Sequence, residues 1–161
     1  MANEITILKA EAEHFDVAGE IAIKAWTPIR EEFKKLLTEE IYTPFFDNWQ
    51  TAKRNEIIRG LRDGNGFVAI IDGEVVGFVY YFADNGTKIG TIGGLAVDES
   101  AKGMGIGKML CRHAIAEMKK DGMLHAAVTT GGDDAHAPAR RTYEGVGFEK
   151  YLPSVKYYMN L

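Results

Sequence analysis

Polar and apolar residues alternate over Glu4–Lys9 (EITILK), the period of two expected of a half-buried strand. From His14 to about Lys35 the spacing turns helical, with Val17, Ile21 and Ala25 on one side. Pro28 is expected to break this stretch into two helices, with Trp26 and Phe33 flanking the break. Another helix is expected from near Thr43, with Pro44 in its first turn and Phe45, Trp49, Ala52, Ile57 and Leu61 as apolar positions. The turn signal DGNG at Asp63–Gly66 ends it.

Two apolar runs follow, Phe67–Ile71 and Val75–Phe82, and the Asp72-Gly73-Glu74 between them is a strong hairpin signal. Asp84-Asn85-Gly86 makes the next turn, and Lys88–Val97 reads as a third neighbouring strand. Ile106, Met109, Leu110, Ala114 and Met118 fall at helical spacing between Gly105 and Lys120, with Lys119 and Lys120 suited to the negative helix end before Gly122. Leu124, Ala126 and Val128 alternate as a strand, Pro138–Val146 reads as a helix, and Phe148–Tyr151 and Val155–Met159 as closing strands. No repeat or low-complexity segment interrupts this order. The expected class is α/β in the α+β sense: one mixed, largely antiparallel sheet flanked by helices. The central meander separates it from a doubly wound nucleotide fold.

Composition narrows the picture. The chain has 161 residues, 46% hydrophobic and 26% charged, which suits one domain over residues 1–161 with its own core. Its net charge of −4 argues against a nucleic-acid surface, which would cluster Lys and Arg. Neither a membrane span nor a basic-then-apolar leader is present in the sequence, and the lone Cys111 cannot form an internal disulfide, so a cytoplasmic location is expected.

The chemistry concentrates in Gly93–Leu110, GGLAVDESAKGMGIGKML, where Gly103, Gly105 and Gly107 stand between a strand and a helix. Glycines there either make a plain turn or let the backbone approach a phosphate at a positive helix end. A phosphate loop of the form G-x-x-x-x-G-K-[ST] fails, since Lys102 stands five before Gly107 and Met109 follows Lys108. The dinucleotide pattern G-x-G-x-x-G fails at Lys108 and at Leu110.

What remains, Lys102-x-x-Gly105-x-Gly107 after Leu95-Ala96-Val97-Asp98, resembles the R/Q-x-x-G-x-G/A motif of the GNAT superfamily of N-acetyltransferases. Downstream, HAPARRTYEGVGFEKY places Ala139, Tyr143, Gly147 and Phe148 on the family pattern N-x-x-A-x-x-x-Y-x-x-x-G-F, with His136 at the asparagine position. Lys102 departs from the usual arginine or glutamine and offers a point charge in place of a fork. The resemblance spans about Ile89–Tyr151 and implies an acyl-CoA N-acyltransferase-like fold. It also implies acetyl transfer from acetyl-CoA to an amine by direct attack in a ternary complex.

On that resemblance, Leu95, Ala96 and Val97 would pair with the pantetheine arm, and the backbone of Lys102, Gly103, Met104, Gly105, Ile106, Gly107 and Lys108 would hold the pyrophosphate. His136, Ala139, Arg140 and Tyr143 would also face the cofactor, and Arg140 or Arg141 could reach a phosphate. The amide of Ala96 or Val97 would polarise the thioester carbonyl, and Tyr143 would protonate the departing thiolate; the structural alternative is that Tyr143 only packs its helix. Trp26, Arg30 and Phe33 would line the acceptor cleft, although aromatic residues at helical spacing usually belong to a core.

No acidic residue lies within Lys88–Val97, where many family members carry a glutamate base. Glu31, Glu32 and Asp134 are the alternatives, each more ordinarily a solvated carboxylate, and Asp134 or His136 could instead cap the following helix. Asp133, Asp134 and His136 lack a second ligand cluster, so no metal is expected, and Cys111 is expected to pack. The acceptor would be a small-molecule or protein amine, and the Tyr157-Tyr158 segment would pair in the sheet or contribute to a homodimer. The rival function is a non-catalytic acyl-CoA binding or sensing module.

Overall fold

In a computed structural model describing residues 4–161, five strands form one sheet in chain order. Strands β1 (Ile5–Lys9), β2 (Asn65–Ile71), β3 (Glu74–Asp84) and β4 (Ile89–Val97) run antiparallel in succession, and β5 (His125–Val128) lies parallel to β4. The β2–β3 turn is tight because Asp72 and Gly73 both adopt positive φ, 50° and 83°, the backbone twist that two-residue hairpins favour.

Alternate residues of β3 serve opposite faces of the sheet. Phe78 and Tyr80 pack with Val68 against Ala18, Ile21 and Ala22 of helix α1 (Ala12–Leu36) and Ile57 and Leu61 of α3 (Trp49–Asp63). Val79 and Tyr81 face the other way, onto Ile106, Leu110, Ala114 and Met118 of α4 (Ile106–Lys120) and Tyr143 of α5 (Ala137–Gly145). The mixed, largely antiparallel sheet with helices on both faces is the expected class.

Three expectations need correction. Pro28 does not divide the first helix: α1 runs unbroken through it for 25 residues. An interior proline loses one backbone bond and crowds the preceding turn. Here Ala18, Ile21, Ala22 and Ile29 anchor both halves by burial, which outweighs that local cost. Nor does one helix start at Thr43. A short α2 (Glu39–Phe46) precedes α3, and Pro44 sits in its last turns, where Tyr42 is buried and Phe46 packs 5.6 Å from Phe33.

The third correction concerns Phe148–Tyr151 and Val155–Met159, neither of which forms a strand. The Phe148 amide instead donates to the Tyr143 carbonyl and closes α5. The chain beyond it crosses α2: Tyr158 meets Phe45 edge-on at 5.0 Å, and Asn160 donates to Glu40 at 3.1 Å. Pro153 interrupts any ladder between the two runs by lacking an N–H.

One irregularity shapes the site. In the β3–β4 ladder Tyr80 pairs with Gly94 and Tyr81 with Ile92, leaving Gly93 as an extra, unpaired residue. A Cβ on Gly93 would lie 2.1 Å from the Tyr80 ring, so only glycine fits this bulge.

Candidate active site

The β4–β5 ladder ends at Ile92 opposite Val128, beside the Gly93 bulge. Strand β4 continues to Val97, still paired to β3 as far as Gly77, while its other edge from Gly93 onward has no strand beside it among the described residues. Leu95 and Val97 therefore offer backbone groups to an extended ligand along an open edge, whereas the expected contribution of Ala96 is corrected: its carbonyl points at Gly77 of β3, as alternate residues of a strand do. Such an edge is a template for strand-like pairing.

Beyond Val97, the Asp98 carboxylate accepts from the Ser100 amide and hydroxyl at 3.0 and 2.7 Å and fixes a single 3-10 turn, Glu99–Ala101. Gly103 and Gly105 then take φ of 81° and 77°, which explains these two glycines by backbone conformation alone. Gly107 differs: its φ is not positive, and a Cβ there would meet Thr142 and Leu95 only at 3.6 and 3.8 Å, ordinary contact. Nothing among the described residues demands glycine at this position. The first backbone bond across this start runs from Met109 N–H to Gly105 C=O at 3.0 Å, so the amides of Ile106, Gly107 and Lys108 precede it at a positive helix end. A diphosphate fits this cradle chemically.

Side chains around the cradle are partly committed. Lys102 pairs with Glu99 at 3.1 Å. The Lys108 stem lies against α5, where a Cβ on Gly145 would come within 2.6 Å of its Cε. Met104 is exposed, and Ala139 packs at the border of the α4–α5 core.

Tyr143 is buried among that core, 8% exposed, with its ring 6.0 Å from Phe148. Its hydroxyl finds no hydrogen-bond partner among the described residues, yet it is not sealed from solvent. Burial, reinforced by Cys111, pushes the phenol up to about 12, so it keeps its proton at neutral pH. Cys111 is fully buried, and burial, only partly offset by Arg112, pushes its thiol up to about 11; it is packing.

The loop before α5 is more organised than its polar composition suggests. His136 Nδ1 lies 2.6 Å from Asp133 Oδ1. A carboxylate can only accept, so the neutral ring carries its proton on Nδ1 and leaves the Nε2 lone pair free. Gly131 has no room for a side chain, since a Cβ would fall 2.2 Å from His136 Nδ1 and 2.4 Å from Asp133 Oδ1. Arg140 donates to the carbonyls of Gly131 and Asp133 at 2.6 and 2.7 Å, bracing the loop from α5. Arg140 is thus tied to the loop carbonyls at one guanidinium nitrogen, and Arg141 is exposed. Neither Asp134 nor His136 makes a side-chain cap, and Asp134 is exposed.

Across from this loop, Phe33 of α1 lies 6.3 Å from the His136 ring. Arg30, one turn earlier, is ringed by Phe46, Phe33 and Trp49 at 4.8, 5.3 and 5.7 Å from its guanidinium carbon. Its Nε is buried without a hydrogen bond, and burial pulls its pKa down against the pull of Tyr42, Glu56 and Tyr158. Trp26 stands apart from this ring, under the Lys53 ammonium at 4.7 Å. Arg30 and Phe33 are therefore brought together near the loop. Glu31 and Glu32 of the same helix make no side-chain hydrogen bond or ion pair among the described residues.

Sequence reasoning missed the Asp133–His136 pair and the need for Gly131. The signal was there as G-G-D-x-x-H before a helix, an i,i+3 spacing that brings two side chains onto one turn. Among the described residues no three metal-ligating side chains gather, and no helix is long and apolar enough to cross a membrane.

Over 91 residues the chain is 33% identical to the mycothiol acetyltransferase of Thermomonospora curvata, covering 56% of this chain and 30% of that protein. The chain thus spans less than a third of that relative's length in the match. Among solved structures it is similar to the PaiA N-acetyltransferase of Thermoplasma acidophilum in complex with coenzyme A, with a TM-score of 0.68 at 21% identity over 91% of this chain and 90% of that one. It is also similar to the IAA acetyltransferase of Bacillus cereus, with a TM-score of 0.63 at 24% identity over 92% and 79% of the two chains. These two likenesses concern the fold. Residues 30–148, which hold every strand from β2 to β5 and the whole glycine loop, match the acetyltransferase (GNAT) family, and the chain belongs to that family.

Proposed function

We propose that this chain is an N-acetyltransferase that moves the acetyl group of acetyl-CoA to a primary amine by direct attack in a ternary complex. The observation that carries this reading is the open edge of β4 from Gly93 to Val97, joined by one 3-10 turn and the glycine loop to the amides at the start of α4. Leu95 and Val97 would hold the pantetheine arm, and the backbone from Lys102 to Lys108 the pyrophosphate, with Gly107 leaving room for a phosphate to come close. Bound there, acetyl-CoA supplies an activated acyl group. The amide of Val97, which faces the open edge, would polarise its carbonyl, and the unpartnered, protonated hydroxyl of Tyr143 would give its proton to the departing sulfur. Phe33 and Arg30 would form the acceptor wall, with Trp26 at its far end.

One observation favours a second reading. Strand β4 carries no carboxylate, so the chain could bind acyl-CoA as a sensor and transfer nothing. Calorimetric titration with acetyl-CoA, followed by thiol release against polyamines, amino acids, aminoglycosides and peptide N-termini, separates the two. Binding with release for one amine class supports the enzyme; binding without release from any of them supports the sensor; no binding removes both.

A further inference from the structure

The transferase reading lacks a base to take the proton of an incoming ammonium. We infer that His136 is that general base and that Asp133 is its positioning residue, a pair standing in for the absent strand carboxylate; this inference rests on the transferase reading. Four observations carry it. The Asp133–His136 hydrogen bond, 2.6 Å, fixes the ring and presents a free Nε2. Asp133 Oδ2 is buried without a partner, so its carboxylate charge is not shared with another donor and supports the imidazolium that forms on proton uptake. Gly131 and Arg140 hold the loop in place, the first by lacking a Cβ and the second by two bonds to carbonyls. The ring also meets Phe33 across a gap of 6.3 Å between centroids, and His136 closes the turn that leads directly into α5, the helix that carries Tyr143.

The proton balance closes. His136 Nε2 takes one proton from the ammonium, and the freed nitrogen lone pair forms the C–N bond. The C–S bond then breaks, and the sulfur takes the Tyr143 proton. The second proton on the attacking nitrogen restores Tyr143, and His136 returns its own to water. Charged groups around His136 are Asp133 on its own loop and Arg140 on α5; α1 presents the neutral Phe33, with Arg30 one turn away.

The test uses the amine with the fastest thiol release. His136→Gln should lower kcat about 10²- to 10⁴-fold, leave the acetyl-CoA Kd within about twofold, and abolish the acidic limb that His136 gives to kcat/KM. Asp133→Asn should lower kcat less, leave the KM for the amine little changed, and release the His136 ring from the Nδ1–H tautomer in its NMR spectrum. Should either variant fail to fold, nitrogen-detected NMR of the wild-type protein with coenzyme A bound must find His136 as the Nδ1–H tautomer. An unchanged pH profile and kcat in His136→Gln overturns the assignment, as does a loss confined to the acetyl-CoA Kd or an Nε2–H tautomer. Absence of thiol release from every amine in the wild type overturns the transferase reading itself, and that outcome is distinct from these.

Discussion

Phe33 and His136 face one another with ring centroids 6.3 Å apart and planes tilted by 38°, one on the long first helix and the other on the loop before the last. The contact joins two elements more than a hundred positions apart in sequence across the mouth of the site. Phe33→Ala should therefore raise the acceptor KM at least about fivefold while changing the acetyl-CoA Kd little, read from initial rates at saturating acetyl-CoA. Equal changes in both constants would place Phe33 in the core alone.

Glycine 107 and glycine 105 should answer the same substitution in opposite ways. Gly107→Ala leaves an ordinary helical contact within the chain and gains helix propensity, so thermal stability should hold or rise, while coenzyme A binding weakens by about tenfold or ~1.4 kcal/mol. Gly105→Ala puts a side chain at a φ of 77° and should lower stability by about 1–2 kcal/mol. Melting curves with and without coenzyme A read both effects.

Tyr143→Phe removes a hydroxyl that bonds nothing among the described residues, so folding should be nearly unaffected. If Tyr143 is the acid proposed above, turnover should fall about 10²-fold or more, since no phenol would remain to protonate the leaving sulfur. A matched loss of stability and activity would return Tyr143 to a packing role.

Alkaline pH should unfold the chain more readily. Burial raises Tyr80 and Tyr143 from 10.0 to about 12, and Tyr81, buried and bonded to Asp121 at 2.6 Å, also rises. The folded state then keeps protons that the unfolded chain loses, so the stability these phenols contribute is complete below about pH 10 and declines as pH climbs toward about 12. Urea midpoints between about pH 9 and 11.5 should fall, and Tyr80→Phe should flatten the decline.

Cys111 should resist alkylation in the folded protein. With its thiol buried and raised to about 11, iodoacetamide at pH 8 should leave the thiol and the activity intact until denaturant is added. Rapid modification accompanied by loss of activity would contradict its placement in the core.

The strands β2 to β4 and helix α4 were legible because each element is bounded by its own turn chemistry, Asp72-Gly73 above all, and carries a clean period. The N-terminal helices were not. Pro28 and Pro44 are local signals, and the burial that overrides them, at Ile21, Ile29 and Tyr42, depends on elements distant in sequence. The tail misled for the converse reason: Tyr157 and Tyr158 favour strands in isolation, but Phe45 and Glu40 of α2 hold the segment elsewhere. At the site, the glycine loop could be read from motif spacing, whereas the Asp133–His136 pair could not, because a loop's side-chain pairings depend on a fold that brings Arg140 and Gly131 around them.

The bulge at Gly93 leaves the sheet unfinished on one side of Leu95, Ala96 and Val97. On the proposed reading, a pantetheine arm laid there would complete a row of hydrogen bonds that the polypeptide lacks, so occupancy would become part of the protein's folding equilibrium. At a hundredfold excess of ligand over its Kd, linkage adds about 2.7 kcal/mol to the folded state. Amide exchange along the second half of β4 then slows with ligand concentration, while the hairpin joining β2 and β3 keeps the protection it has alone. Cellular supply of the acyl donor would in this way set both how fast the chain works and how long it stays folded.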